Sequence, residues 1–222
     1  MLILSVKNPS TLNSQALEHI DVIELRADYL PDTSKEALTH VITQLKTFQK
    51  PILFSLFSKR EGGAFQNNEE ELFERLHWAS ELGCEYISME IHWGKANQRK
   101  LIKKIKGQGA KSITTLHHSE KTYTKDGLRH AARRCLYTKA DIIRLAFQAD
   151  SIKDTLKIFE LIDFVNKKYK TPIIAYAQGE RGKLSHAIGE VCGSFGTFVS
   201  SEEEMEKEFL TMKEIQEIKK VL

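Results

Sequence analysis

The chain has 222 residues, 41% hydrophobic and 28% charged, with a formal net charge of +3; this is an ordinary globular composition, and the charge is too small to argue for a nucleic-acid partner. No stretch approaches the roughly 18 apolar residues of a membrane span, and the apolar run inside "MLILSVKNPS" is too short for a secretory leader. Cys84, Cys135 and Cys192 lie far apart with no CxxC, which fits reduced thiols in a cytoplasmic protein rather than a disulfide framework or a zinc site.

In chain order, "LILSV" (2–6) predicts a first strand, followed by a short segment without a glycine-rich phosphate turn. "VIELRA" (22–27) predicts the second strand. "SKEALTHVITQLKTF" (34–48) predicts a helix that opens on a Ser N-cap and repeats apolar residues at Leu38, Val41, Ile42 and Leu45. "PILFSLF" (51–57) precedes "NEEELFERLHWASELG" (68–83), a helix with acids in its first turn and Gly83 just past its end. "EYISMEI" (85–91), "KSITTLH" (111–117), "ADIIRLA" (140–146), "PIIAYA" (172–177) and "GTFVS" (196–200) predict five more strands. Helical patterns in "KANQRKLIKKIKGQG", "TKDGLRHAARRCLY", "SIKDTLKIFELIDFVNKKY" and "TMKEIQEIKKVL" complete the series, and the lysine-rich face at 99–106 reads as a solvated surface, with an anionic-ligand patch as the alternative. Eight strands alternating with helices predict a single-domain (β/α)8 TIM barrel over residues 1–222. The alternative, a doubly wound open sheet, wants a GxGxxG turn after the first strand, and "SVKNPST" has none.

A barrel of this kind carries its chemistry at the carboxyl ends of its strands. Polar residues gather there: Glu24 and Arg26 on strand two, Glu61 in "KREGGAF" after strand three, Glu90 on strand four, His117 on strand five, Arg144 on strand six and Gln178 after strand seven. Singly, each has a plain structural reading. Glu24 and Arg26 fit a local ion pair, His117 a rim histidine, and Glu90 the neutralisation of a nearby cation. Together they place ionisable groups from five consecutive strands on one rim, and burying that much charge without a ligand is costly.

At these residues the chain resembles the type I 3-dehydroquinate dehydratases. "IELRADYL" is similar to that family's E-[LW]-R-x-D signature, "PILFSLFSKREGGAF" to T-x-R-x-x-x-E-G-G, "YISMEI" to Y-x-D-x-E, "TLHHSEKT" to S-x-H-[DN]-F-x-x-T and "ADIIRLA" to A-D-[IV]-x-K-[IL]-A. "AQGERGKLSHAIGEVCGSFGTF" resembles M-G-x-x-G-x-x-S-R followed by F-G-S-x-x-T-[FY]. The resemblance implies a lyase that dehydrates 3-dehydroquinate to 3-dehydroshikimate. A strand-six lysine would form an imine with the ketone, and a histidine, here His117, would remove the adjacent proton. It implies no metal or diffusible cofactor, a small anionic carboxylate as ligand, and no nucleic-acid or membrane partner; dimers are frequent in that family. The matching positions are His117, Glu61 and Arg144 for catalysis, and Glu24, Arg26, Phe57, Glu90 and His186 for substrate binding.

Several of these positions depart from the family pattern. Arg144 stands where the lysine belongs, and a guanidinium with pKa above about 12 has no free amine to attack a carbonyl. Loss of a covalent nucleophile removes on the order of a millionfold in rate. Lys139, at the entrance of strand six, is at the wrong end to substitute. Phe57 and His186 fall on arginine positions, Ser88 on an aspartate, and the lid motif S-x-P-G-Q is replaced by the acidic "SEEEMEKEFL" (201–210). Arg144 is expected to pair with a carboxylate such as Glu90 or Glu61, keeping the lysine's charge. Three functions follow: a dehydratase with altered machinery, an inactive barrel that binds a ligand or acts as a scaffold, or a different acid–base enzyme using Glu61, His117 and His186.

Overall fold

The computed structural model describes residues 1–66, 68–118, 120, 122–201 and 209–221. The apolar runs form β1 (Leu2–Val6), β2 (Val22–Arg26), β3 (Ile52–Ser55), β4 (Tyr86–Glu90), β5 (Lys111–His118), β6 (Ile142–Gln148), β7 (Ile173–Gln178) and β8 (Thr197–Ser200). All are parallel to their neighbours and run β7-β6-β5-β4-β3-β2-β1-β8 around one curled sheet. A ninth strand absent from the sequence reading, β9 (Leu210–Thr211), extends the sheet beyond β8. Among the described residues no ladder joins β7 to β8. There the Phe195 N–H just before β8 donates to the Ile173 carbonyl at 2.7 Å.

The helices are α1 (Lys35–Lys46), α2 (Glu69–Glu81), α3 (Lys95–Gly107), α4 (Lys125–Leu136), α5 (Ile152–Tyr169), α6 (Lys183–Ile188) and α7 (Met212–Lys219). Local sequence sets their ends. The Ser34 hydroxyl accepts from the Ala37 N–H, Ser151 and Asp154 make a reciprocal capping box on α5, and Gly83 takes a φ of +80° after α2. After β1 only two single 3-10 turns form, at Pro9–Thr11 and Gln15–Leu17.

Strand side chains alternate between two environments. Ile23, Leu25, Phe54, Ile87 and Met89 pack outward in one helix-facing core, and Ile143, Leu145 and Phe147 in another. Ile3, Val22, Leu53, Ile113, Ile142, Ile174, Tyr176 and Phe198 form the inner core of this TIM-barrel-like domain. Two residues further along each strand the inward positions are Glu24, Ser55, Ser88, Thr115 and Arg144, all buried. Those serines and the threonine are small, and that leaves room for one long side chain to reach across the barrel.

Candidate active site

Arg144 is that side chain. It is 2% exposed, and its Nη1 meets Glu24 Oε1 at 2.5 Å while Nη2 donates to the Tyr176 hydroxyl at 2.8 Å. Its guanidinium carbon lies 3.7 Å from the centre of the Phe198 ring. One residue on β6 thus touches β2, β7 and β8. Burial by itself would push the Glu24 carboxyl up, but the Arg144 and Arg26 charges, with hydrogen bonds from Ser55 and Arg144, hold it below the ordinary value. Glu24 is therefore ionised, and Ser55 Oγ donates to the same Oε1 at 2.7 Å. The expected pairing of Arg144 with Glu90 or Glu61 does not form, because both carboxylates are already held elsewhere.

Glu90 turns to the loop after β3, where the Ser58 N–H and hydroxyl donate to its two oxygens at 2.6 and 3.0 Å. Glu61, from the turn that follows, accepts from Thr115 Oγ1 at 2.9 Å and from the His117 backbone N–H at 3.3 Å. Burial, reinforced by the nearby Glu90 charge, raises the Glu61 pKa well above its ordinary value. The turn that carries it depends on Gly63: a Cβ there would meet the Phe57 carbonyl oxygen at 2.1 Å.

The His117 ring sits edge-on to Phe57 with centroids 4.8 Å apart. Burial, then the charges of Arg144 and Arg26, lower its pKa well below 6.5, so the imidazole is neutral around pH 7. The Glu61 carboxyl meets His117 through the backbone N–H, and the imidazole that approaches it is that of His92, with Nε2 3.8 Å from Oε1. His117 Nε2, Glu24 Oε2, Glu61 Oε1 and the hydroxyls of Ser5, Ser88 and Ser200 are buried without a hydrogen-bond partner among the described residues.

Arg26 pairs with Asp28 rather than Glu24, donating from Nε at 3.0 Å and Nη2 at 2.8 Å, and it covers Phe57 with its guanidinium carbon 5.1 Å from the ring centre. The local Glu24–Arg26 ion pair is thus replaced by two pairs with other partners. His186 is buried between the rings of Tyr176 and Phe209, at 4.8 and 5.1 Å, and burial brings its pKa down to about 3. An uncharged imidazole in an aromatic cluster cannot stand in for a cationic contact to a carboxylate.

The structure brings Glu24, Arg26, Phe57, Glu61, Glu90, His117, Arg144 and His186 to one end of the barrel. Exposed Lys139 precedes β6 and lies at the other end. Residues 202–208, which hold most of the acidic stretch proposed as a changed lid, lie outside the described residues. Sequence reading missed Tyr176, Phe198, Phe209 and Asp28. Tyr176 lies two positions after Ile174 on the inward face of β7, a period-two signal that would have found it. Phe209 lies just before β9, a two-residue strand for which no sequence pattern exists.

The family model for type I 3-dehydroquinase matches residues 4–222. The 3-dehydroquinate dehydratase of Methanocaldococcus jannaschii is 30% identical over 197 residues, covering 88% of this chain and 84% of that protein. The chloroplastic bifunctional 3-dehydroquinate dehydratase/shikimate dehydrogenase of Arabidopsis thaliana is 31% identical over 183 residues, 81% of this chain and 28% of that longer one. Among solved structures, the type I 3-dehydroquinate dehydratase of Clostridium difficile superimposes with a TM-score of 0.91 at 22% identity, covering 99% of this chain and 91% of that one. The 3-dehydroquinate dehydratase of Geobacillus kaustophilus gives 0.92 at 20% identity, covering 100% and 90%. At those identities the two structures speak for the fold.

Proposed function

Since the chain belongs to the type I 3-dehydroquinase family, we propose that it is a member that does not dehydrate 3-dehydroquinate through an imine and that its barrel mouth binds a small organic acid. The observation that carries this reading is Arg144. At the strand-six position where the family resemblance expects an amine, it presents a permanent cation that is buried and held by Glu24 and Tyr176. The apolar Phe57 and neutral His186 at two cationic positions support the same reading. The buried polar atoms without protein partners support a ligand at the mouth, because such groups are satisfied in nearly all native proteins. The acid would bind near Arg26, Arg144 and His117, and the reading uses no metal or cofactor.

The test has two arms. Incubation with 3-dehydroquinate and borohydride is expected to leave the intact mass of the protein unchanged. A reduced adduct on any lysine, including Lys7 just past β1, would sink the proposal. At tens of micromolar protein, dehydration measured at the enone absorbance is expected to stay at background, while small carboxylates raise the melting temperature. A second reading rests on two groups of the same mouth, the neutral His117 imidazole and the Glu61 carboxyl that accepts from the His117 backbone N–H: a non-covalent acid–base dehydratase. It requires enone formation that is lost in His117→Ala and gives no borohydride adduct.

A further inference from the structure

On the outer wall, a groove of about 620 Å³ runs between α3 and α4, next to the barrel mouth, where its His92 Nε2 lies 3.8 Å from Glu61 Oε1. Arg60 reaches it from the turn after β3, Arg99 from α3, and Arg133 and Arg134 from the last turn of α4. All four are exposed, no carboxylate lines the groove, and none of them is ion-paired among the described residues. Dipole complementarity accounts for Arg133 and Arg134 at a helix C-terminus. It does not account for Arg99, which lies near the positive end of α3, in a helix whose first turn carries no acid and whose N-cap, Gly94, offers no side-chain cap. Nor does it account for Arg60, which arrives from a different layer of the barrel. His92 and His130 add two imidazoles to the wall. The His92 pKa falls to about 4, through burial first and then the charges of Arg60 and Arg134.

The groove is not only cationic. Ile91 and Trp93 form its buried floor, and Tyr137, 71% exposed, stands at its edge. Guanidinium groups suit bidentate contacts to phosphate, and the volume falls in the range of small-ligand sites. We propose that this groove binds a small organic polyphosphate with an aromatic body, its phosphates on the guanidiniums of Arg60, Arg99, Arg133 and Arg134 and its ring beside Tyr137. This stands independently of the chemistry assigned to the barrel mouth.

Calorimetric titration of the full chain in low salt, with ATP, inorganic tripolyphosphate and adenosine as probes, tests it. ATP is expected to bind in the micromolar range, tripolyphosphate at least tenfold more weakly, and adenosine not at all. Raising the salt to 300 mM is expected to weaken ATP binding several-fold, because exposed charges are screened. The exposed double change Arg99→Ala/Arg134→Ala is expected to weaken ATP at least tenfold with an unchanged melting temperature. Lys167→Ala/Lys168→Ala, in a separate basic cluster on α5, is expected to have no effect. No binding of ATP at millimolar concentration, or binding indifferent to the arginine pair, would overturn the site. Equal affinity for tripolyphosphate and ATP would overturn the aromatic body, and far tighter binding of a single-stranded oligonucleotide would overturn the small-molecule assignment.

Discussion

Replacing Arg144 with Met keeps much of its length and removes its charge. Glu24, fully buried, then loses its ion-pair partner, keeping only Ser55 and the more distant Arg26 charge. An isolated carboxylate in that position relieves itself by binding a proton. An ordinary glutamate ionises near pH 4.3, so holding the proton at pH 7 costs about 1.4 kcal/mol for each of roughly 2.7 pH units, or about 3.7 kcal/mol. That agrees with the ~3–5 kcal/mol typical of breaking a buried pair from one side. The sign of the pH dependence follows. In the wild-type chain the Glu24 pKa lies below its ordinary value, so the pair stabilises above that value and the contribution is lost as pH falls. In the variant the pKa lies above, so the penalty grows as pH rises. The gap between the two proteins is therefore expected to widen by about 2.7 kcal/mol between pH 5 and pH 7. Guanidinium unfolding followed by the fluorescence of Trp78 and Trp93 measures it at both pH values. Adding Glu24→Gln to the variant is expected to recover most of the loss. A penalty below about 1 kcal/mol at pH 7, or one equal at both pH values, would refute Glu24 as the buried counter-charge.

Arg144→Lys alone is expected to leave 3-dehydroquinate turnover at background in the same enone assay, because Phe57 and His186 still fill the two cationic positions. His186 has a native pKa near 3 against about 6.5 when unfolded, so its contribution is present above pH 6.5 and lost as pH falls. His186→Phe is expected to flatten the stability–pH profile between pH 6 and 4 by about 1.4 kcal/mol per unit, read by denaturant titration across that range. Gly63→Ala forces a Cβ onto the Phe57 carbonyl and is expected to cost about 1–3 kcal/mol, a drop of several degrees in melting temperature by calorimetry.

The barrel was legible because eight strands declared themselves by short apolar runs and six helices by their period and caps, Ser34 and Gly83 among them; the short α6, without a side-chain cap, did not. The rim was legible for a related reason: an ionisable group near the end of an apolar run has few places to point other than the mouth. What the residues did not declare was who pairs with whom. Arg144 bonds Glu24 across 120 positions, and Arg26 turns to Asp28 two residues away. Both choices depend on which other carboxylates are already engaged, and Ser58 and Thr115 settle that for Glu90 and Glu61. The arginine groove was hidden for a different reason. Arg60, Arg99 and Arg134 are remote in sequence, and each alone is an unremarkable surface charge. Only the fold, which sets the turn after β3 and the helices α3 and α4 around one groove, makes them neighbours.

The missing ladder between β7 and β8 gives Arg144 a mechanical role as well. Where backbone bonding is thinnest, Tyr176 and Phe198 meet ring to ring at 5.7 Å, and the guanidinium bonds the first and lies flat on the second. The Arg144 side chain is a rivet across the joint where the hoop would spring apart. A lysine at this position would slacken the seam, so an amine there and the present rigidity compete for the same position.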